Sequence, residues 1–171
     1  MVRSGAVLLA LVLAAVLGAW WPHGDQRAPR TGFDAAVSGT VEALLTGRAS
    51  FGLTGDPAEP ARGLAVELEA LDEDGTLLLQ WTHPALPRPG IYAIRGDSGA
   101  ALHALYIAGP AAAPLGVFRA RQGTVRIRHA SAALLTGTFE LIAIGSLAAD
   151  STRAPAGVRV SGSFVATTVS P

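Results

Sequence analysis

The chain contains no cysteine and no lysine, and its 13 arginines balance 13 acidic residues, so that its formal net charge is zero. The missing cysteines exclude disulfide bonds, thiolate metal ligands and the acylated cysteine of a lipoprotein. The balanced charge excludes the overall electrostatic footprint of a nucleic-acid-binding protein, so we expect no nucleic-acid partner.

Long apolar runs are also rare, with one exception at the start of the chain. Residues 5–21 carry no charged or strongly polar side chain, and the run lies between Arg3 and Pro22. A positive charge followed by an apolar run is typical of an export signal. Trp20 and Trp21 end the run where a membrane-spanning helix would meet the lipid headgroups.

These features leave two interpretations of residues 1–22 open: a cleaved signal peptide, or a retained single-pass membrane anchor in the form of a hydrophobic helix. In helical form, residues 5–21 would span about 26 Å, a little less than the ~30 Å hydrocarbon core of a bilayer. Residues 23–31 are polar and aperiodic, which predicts a linker. We expect an exported protein of the cell envelope that is either membrane-anchored or secreted into the periplasm or beyond.

Residues 32–171 form one predicted domain in which apolar and polar side chains alternate with a period of two. For example, Val158, Val160 and Phe164 alternate with Arg159 and Ser161. Such alternation is typical of antiparallel strands with one buried face. Together with turn signals at roughly 8–12-residue intervals, it predicts an all-β domain of nine to ten strands. We expect an antiparallel β-sandwich or a partly closed barrel.

Two turns are predicted to join neighbouring strands. Asp72-Glu73-Asp74-Gly75 follows one alternating segment and precedes another, and glycine suits the backbone of a tight hairpin. Gln122-Gly123 is predicted to join a strand over 117–121 to a strand over 124–129. Prolines within 84–89 and 110–114 predict loops, because proline cannot donate to a strand ladder.

A short sequence echo connects two parts of the domain. Ala43-Leu44-Leu45-Thr46-Gly47 recurs as Ala133-Leu134-Leu135-Thr136-Gly137, and each copy precedes a strand that carries a phenylalanine. The echo predicts two similarly built hairpins rather than a tandem repeat of a whole domain.

The order of three strand motifs resembles a group of uncharacterised exported bacterial β-domain proteins. The motifs are Gly123-Thr124-Val125-x-Ile127, Leu135-Thr136-Gly137-Thr138-Phe139 and Val158-x-Val160-Ser161-Gly162-Ser163-Phe164. Their glycine and aromatic positions serve strands and turns and include no catalytic residue. The resemblance implies an exported β-domain and no particular activity.

One short segment suggests chemistry but has a simpler explanation. Gly96-Asp97-Ser98-Gly99 is similar to the nucleophile segment of trypsin-like serine proteases, and Arg95-Gly96-Asp97-Ser98 resembles integrin-binding loops. A serine nucleophile needs a histidine base and an aspartate behind it, and His83 lies too close in the sequence to match that family. Because aspartate, serine and glycine favour β-turns, a turn accounts for the whole segment.

His83, His103 and His129 are the histidines of the predicted domain, and no two of them have the spacing of metal ligands on one strand. We therefore predict no metal site, no cofactor and no catalytic residue.

The best candidate for a binding surface is basic. Arg119 and Arg121 share one face of a predicted strand, and Arg126 and Arg128 share one face of the next. Across a Gln122-Gly123 turn, the four side chains would form one ribbon able to bind carboxylates, phosphates or sulfates. The alternative is a solvated sheet face whose charge is offset by acids on a neighbouring strand, for which the candidates are Glu67, Glu69 and Glu140.

The sequence thus predicts a non-enzymatic binding or structural module of the cell envelope whose partner is unknown. An anionic ligand or another envelope protein are the candidate partners, and a retained N-terminal helix would add contact with the membrane. Two alternatives stay open: a small metal-assisted hydrolase that uses the three histidines, or a barrel that carries an apolar ligand. The aromatic residues that would line the carrier's cavity are Trp81, Tyr92, Tyr106 and Phe118.

Overall fold

The computed structural model describes residues 30–54, 63–71, 74–97, 99–150 and 155–169, and these residues form nine strands and one short 3₁₀ turn. In chain order, the elements are β1 (Gly32–Gly39), β2 (Ala43–Thr54), β3 (Gly63–Ala70), β4 (Gly75–Trp81), β5 (Gly90–Arg95), β6 (Leu102–Ala108), β7 (Gly116–Ala130), β8 (Leu134–Leu147), the 3₁₀ turn (Ala148–Asp150) and β9 (Ala156–Thr168). The all-β prediction is confirmed for this part of the chain.

Eight of the strands close into an antiparallel barrel. Their order around the barrel is β7-β6-β4-β3-β2-β1-β9-β8, and β8 pairs with β7 to complete the circle. Strands β2 and β9 also pair directly, beyond the start of β1, in a short parallel contact at Ser50↔Thr167 and Phe51↔Thr168. The predicted sandwich is therefore wrong and the barrel alternative is correct, because closure leaves no pair of open sheets to stack.

Strand β5 is the extra, ninth strand, and it pairs only with β7. It occupies the edge of β7 beyond the point where β6 stops pairing with that strand. β6 pairs with β7 from Leu105↔Arg119 to Ala108↔Gly116, and β5 pairs with it from Arg95↔Gln122 onwards. As a result, β5 and β6 lie one after the other along the same edge of β7, and neither of them pairs with Ala120 or Arg121.

The core lies inside the barrel, where one side chain in two points inward along each strand. Val158, Val160, Phe164 and Ala166 of β9 are all buried, as the period-two pattern predicts. The same pattern buries Leu64, Val66 and Leu68 in β3; Phe139, Leu141 and Ala143 in β8; and Val125 and Ile127 in β7. No charged residue is buried among the described residues, and the buried side chains carry polar atoms only at Trp81 and Tyr106.

The predicted hairpin at Gln122-Gly123 is wrong, because both residues lie within the single strand β7. Gln122 pairs with Ile142 of β8 on one side and with Arg95 of β5 on the other. Gly123 does not have a positive φ; a Cβ there would overlap the carbonyl oxygen of Glu140 in β8. The glycine thus permits close approach of two strands rather than a turn.

The antiparallel pairing of β3 with β4 from Leu64↔Trp81 to Glu69↔Thr76 confirms that these strands are neighbours, as predicted. Asp72 and Glu73 of the predicted turn lie outside the described residues, and Gly75 is the first residue of β4 and has no positive φ. The two proline segments lie in the loops before β5 and β7, as expected. In the sequence echo, Leu44–Gly47 lies in β2 opposite β1, and Leu134–Gly137 lies in β8 opposite β9. Gly47 and Gly137 both face a neighbouring backbone, that of Glu69 and of Arg126 respectively.

The predicted leader at residues 1–22 and most of the predicted linker at residues 23–31 lie outside the described residues. Within the described ranges, the chain contains no helix with the length and hydrophobicity needed to cross a membrane.

Candidate functional site

The four arginines predicted to form a basic ribbon all lie on β7 and are all exposed. Because β7 is one strand, they are spread along its length instead of facing each other across a hairpin. Arg119 lies between Leu105 of β6 and Ile144 of β8. Arg126 lies further along, between strands β5 and β8. The structure therefore divides the predicted ribbon into two pairs.

One arginine of each pair lies at an irregularity in the pairing of β7 with β8. The register shifts between Ala120 and Gln122 and again between Ile127 and His129. Arg121 and Arg128 are the extra residues at these two positions. A β-bulge of this kind redirects side chains and increases the local twist, so β7 can follow the barrel wall while it keeps Arg119 and Arg126 directed outward.

The acids proposed as charge partners do not neutralise these arginines. Glu140 forms an ion pair with Arg159 of β9, with 3.3 Å between Nη1 and Oε1. Glu67 and Glu69 lie on β3, which is separated from β7 by β4 and β6. Across the described residues, no carboxylate lies within 4.0 Å of the guanidinium group of any β7 arginine. Within this part of the chain, the β7 arginines are therefore available to an external anion.

A groove of about 470 Å³ opens on the outer side of the barrel where β6 and β7 separate. Leu102, His103 and Ala104 pair with β4 on one side and have left β7 on the other. The groove continues to the end of β5, where the chain turns at Gly96 and Asp97. Its lining residues are Leu78, Gln80, Arg95, Gly96, Asp97, His103, Ala104, Leu105, Arg119 and Ala120.

The groove has a polar side and an apolar side. Arg95, Arg119 and His103 bring cationic or hydrogen-bonding groups from three different strands. Leu78 and Leu105 are outward-facing neighbours on β4 and β6 and supply apolar surface. A guanidinium group binds the paired oxygens of a carboxylate, phosphate or sulfate with two parallel hydrogen bonds. The lining therefore suits an anionic group that is attached to apolar atoms.

Gly96 keeps Arg121 close to the groove. A Cβ on Gly96 would lie 3.0 Å from Cδ and 3.3 Å from Cα of Arg121, so the arginine stem passes directly over the glycine. Together, Gly96 and the bulge at Arg121 fix the third arginine at the edge of this site.

The other candidate residues do not form a site in the described residues. Within the part of the chain that the structure describes, no group of three histidine or acidic side chains is arranged to hold a metal ion. His83 lies in the loop after β4 and accepts a hydrogen bond from the Ala85 amide at its Nδ1, whereas His103 lies on β6 and His129 near the end of β7. The Arg95–Asp97 part of the turn motif joins β5 to β6, as expected, and Ser98 lies outside the described residues.

The aromatic residues proposed to line a cavity contact one another. Tyr106 and Phe118 are fully buried and stack with ring centroids 5.9 Å apart. Trp81 and Tyr92 meet edge to face at 6.1 Å near the other end of the barrel. Pairs of this kind contribute about 0.5–1.5 kcal/mol beyond the burial of their area. Trp81, Tyr106 and Phe118 therefore help to fill the barrel interior, whereas Tyr92 of β5 is only partly buried and packs against this core from the ninth strand.

Tyr106 carries an unusual polar group for this interior. Its hydroxyl is buried and has no hydrogen-bond partner among the described residues. Burial raises the pKa of the phenol above its usual value of 10.0, and the nearby charge of Asp74 raises it further. The hydroxyl is therefore a cost to stability at neutral pH, because its bonds to water are lost on folding.

We expect Tyr106→Phe to raise the free energy of unfolding at pH 7 by about 1 kcal/mol, since it removes a buried, unpaired hydroxyl. In the wild type, ionisation of Tyr106 does not affect stability below pH 10, because the phenol is protonated in both the folded and the unfolded state. As pH rises from 10 through the raised folded-state pKa, the free energy of unfolding falls, because the unfolded chain releases this proton first. The variant should lack that part of the alkaline loss. Urea unfolding at pH 7 and at about pH 10–11 measures both effects, and a variant less stable than the wild type at pH 7 would show that the hydroxyl is satisfied.

Comparison with known proteins provides no identification: no family model, no curated protein and no solved structure matches the chain.

The sequence predicts Arg119 and Arg121 as binding residues but does not predict the groove. Arg95, Gln80 and His103 are distant from them in the sequence and meet only through strand pairing. One signal was present: Leu77-Leu78-Leu79 and Leu141-Ile142-Ala143-Ile144 are apolar on both faces of their strands. A strand with one solvated face alternates instead, so these runs indicate an outer face that is partly covered.

Proposed function

We propose that this protein is a non-enzymatic binding module that recognises an anionic group in the groove between β6 and β7. The observation that carries the proposal is the pair of guanidinium groups, Arg95 and Arg119, that line one concave site without a carboxylate within 4.0 Å among the described residues. Two arginines in a groove, with no carboxylate partner in the described part of the chain, favour an external anion over a structural role.

Each polar residue of the groove has a distinct part in this proposal. Arg119 and Arg95 approach the anion from β7 and β5 and supply the charge. His103 and Gln80 are opposite each other on β6 and β4 and can donate further hydrogen bonds. Arg121 stands at the rim, where it would attract anions without direct contact. Asp97 lines the same groove and would repel a second negative charge, which favours ligands with one compact anionic group.

The second pair, Arg126 and Arg128, extends the basic surface along β7 towards the other end of the barrel. In the proposed function, these residues raise the encounter rate with an anionic partner and contribute less to affinity. This role fits an anionic ligand or an acidic surface of another envelope protein. Export of the chain, attachment through residues 1–22 and the likeness to exported bacterial β-domains belong to the same proposal.

Binding of inorganic phosphate to the full-length chain, measured by isothermal titration calorimetry, tests the proposal. We expect saturable binding, and we expect Arg119→Ala and Arg95→Ala each to weaken it by about 10- to 100-fold. That range corresponds to the loss of one charged hydrogen-bonding group worth about 1.5–3 kcal/mol.

Arg48→Ala is the matched control, because Arg48 is an exposed arginine on β2, which lies across the barrel from the groove. It should leave phosphate affinity within about twofold of the wild type, since exposed charges at this distance are largely screened. Equal losses in all three variants would indicate non-specific attraction to positive charge. Absence of saturable binding of phosphate, sulfate and acetate would contradict the proposal.

A carrier of an apolar ligand is the second candidate, because a closed eight-stranded barrel is an architecture that can hold one small ligand. In this chain, the interior is filled by the stacked rings of Tyr106 and Phe118. A ligand would have to displace them. Mass spectrometry of the natively purified protein separates the two candidates, because a carrier retains a stoichiometric apolar molecule that survives Arg119→Ala.

A further inference from the structure

We infer that the ligand of the groove is an anionic amphiphile whose alkyl chain lies on the outer surface of the barrel. This inference rests on the proposed function and adds to it the chemical nature of the part that the arginines do not bind. It comes from an apolar surface strip that begins at the groove and continues away from it.

The strip consists of outward-facing side chains on four neighbouring strands. Strand pairing places Leu78 beside Leu105, and Ile107 beside Val117. Ile144 of β8 lies next to Arg119 and extends the strip on the far side of that arginine. In a barrel whose outer face meets only water, these positions would carry polar side chains.

These side chains are accessible as well as apolar. Val117 is 41 % exposed and Ile144 is 38 % exposed, whereas Leu78, Leu105 and Ile107 are half-buried among their neighbours. Leu115, at the end of the loop before β7, is 64 % exposed and continues the strip beyond Val117. The strip is therefore a surface on which an apolar chain would lose contact with water.

The charge pattern decides which occupant the strip fits. Residues 99–118 contain no acidic residue and no arginine, and residues 141–149 contain no charged side chain at all. Arg95 and Arg119 adjoin this surface at the groove. One charged end next to an uncharged apolar strip is complementary to a molecule with one anionic head and an alkyl chain.

A single small anion would leave the strip unused, and a purely apolar molecule would leave the two guanidinium groups unpaired. A second copy of the chain would place arginine against arginine if it docked through the same surface by twofold symmetry, which is unfavourable. The amphiphile satisfies both parts of the surface at once.

The test compares three probes on the full-length chain: inorganic phosphate, dodecyl phosphate below its critical micelle concentration, and uncharged dodecanol. Each methylene group removed from water contributes about fourfold in affinity, so that three buried methylenes give about 50-fold. We expect dodecyl phosphate to bind at least about 50-fold more tightly than inorganic phosphate. Dodecanol should bind more weakly than dodecyl phosphate, because it lacks the charge.

Substitutions on the strip separate this inference from the proposed function. Val117→Gln should weaken dodecyl phosphate binding by about tenfold and leave inorganic phosphate binding within about twofold, since Val117 lies on the strip but outside the lining of the groove. Leu44→Gln is the matched control: Leu44 is 84 % exposed and lies on β2, away from the groove. It should change neither affinity.

If phosphate and dodecyl phosphate bind equally, the proposed function stands and the amphiphile inference is wrong. If neither binds, the proposed function itself fails. Analytical ultracentrifugation reports whether copies of the chain associate. If the chain self-associates and dodecyl phosphate does not bind to the associated form, the strip is an interface between copies and the inference is overturned.

Discussion

Phe118→Ala is expected to lower the free energy of unfolding by about 3–5 kcal/mol, which is the range for deleting a phenyl ring from a filled core. Phe118 is fully buried and stacks on Tyr106 with an angle of 24° between the ring planes. The change therefore leaves a cavity and also removes an aromatic contact. Urea unfolding followed by near-ultraviolet circular dichroism measures the loss.

Val117→Ala, one residue away on the same strand, provides the comparison. Val117 points outward and is 41 % exposed, so its truncation should cost less than about 1 kcal/mol. Similar costs for the two variants would contradict a barrel whose stability comes from rings packed in its interior.

Gly47→Ala is expected to lower the free energy of unfolding by about 3 kcal/mol, at the upper end for a side chain forced into a filled space. A Cβ at Gly47 would overlap the carbonyl oxygen of Glu69 and lie 2.8 Å from Cα of Ala70. Both atoms belong to the backbone of β3, so no side-chain rotation can relieve the overlap. Denaturant unfolding measures the cost, and far-ultraviolet circular dichroism reports whether the β2–β3 pairing persists.

Gly52→Ala is the control on the same strand, because a Cβ there would meet no heavy atom within 4 Å. It should be neutral or stabilising by up to about 1 kcal/mol, since alanine reduces the conformational entropy of the unfolded chain. If Gly47→Ala is tolerated as well as Gly52→Ala, the register of β2 against β3 is not the one described.

The interior of the barrel follows from the sequence to a large extent. The alternation of Val158, Val160 and Phe164 with polar residues predicts which side chains of β9 face inward, and they are buried. Local periodicity suffices here because each strand of a barrel has one inner and one outer face. Closure of the sheet could not be derived in this way, since it depends on β1 pairing with β9, where partners such as Phe33 and Phe164 lie near opposite ends of the domain sequence.

The error at Gln122-Gly123 has a specific physical cause. Glycine serves both tight turns and close strand approach, and the sequence alone does not distinguish these uses. The bulge at Arg121 also shifts the alternation by one residue. Ala120 and Val125 both point inward, although positions five apart lie on opposite faces of a regular strand. A break in the alternation next to a glycine imitates a turn.

The candidate site was predicted only in part, for a related reason. Arg119 was identified because it lies on a strand with other arginines. Arg95 was known only as part of a turn motif, and its place beside Arg119 depends on β5 taking over from β6 along β7. A groove formed where strands separate arises from the pairing of the whole sheet, and an apolar run such as Leu77–Leu79 indicates only that an outer face is partly covered, not which strands separate there.

The central claim, that Arg95 and Arg119 together bind an anionic group, is tested most directly by nuclear magnetic resonance of the arginine Nε–Hε groups during titration of the full-length chain with inorganic phosphate. We expect saturable shifts for Arg95 and Arg119 with one common dissociation constant, and small, non-saturating shifts for Arg48 and for Arg159, which is paired with Glu140. Equal, non-saturating shifts for all the arginines would contradict the central claim.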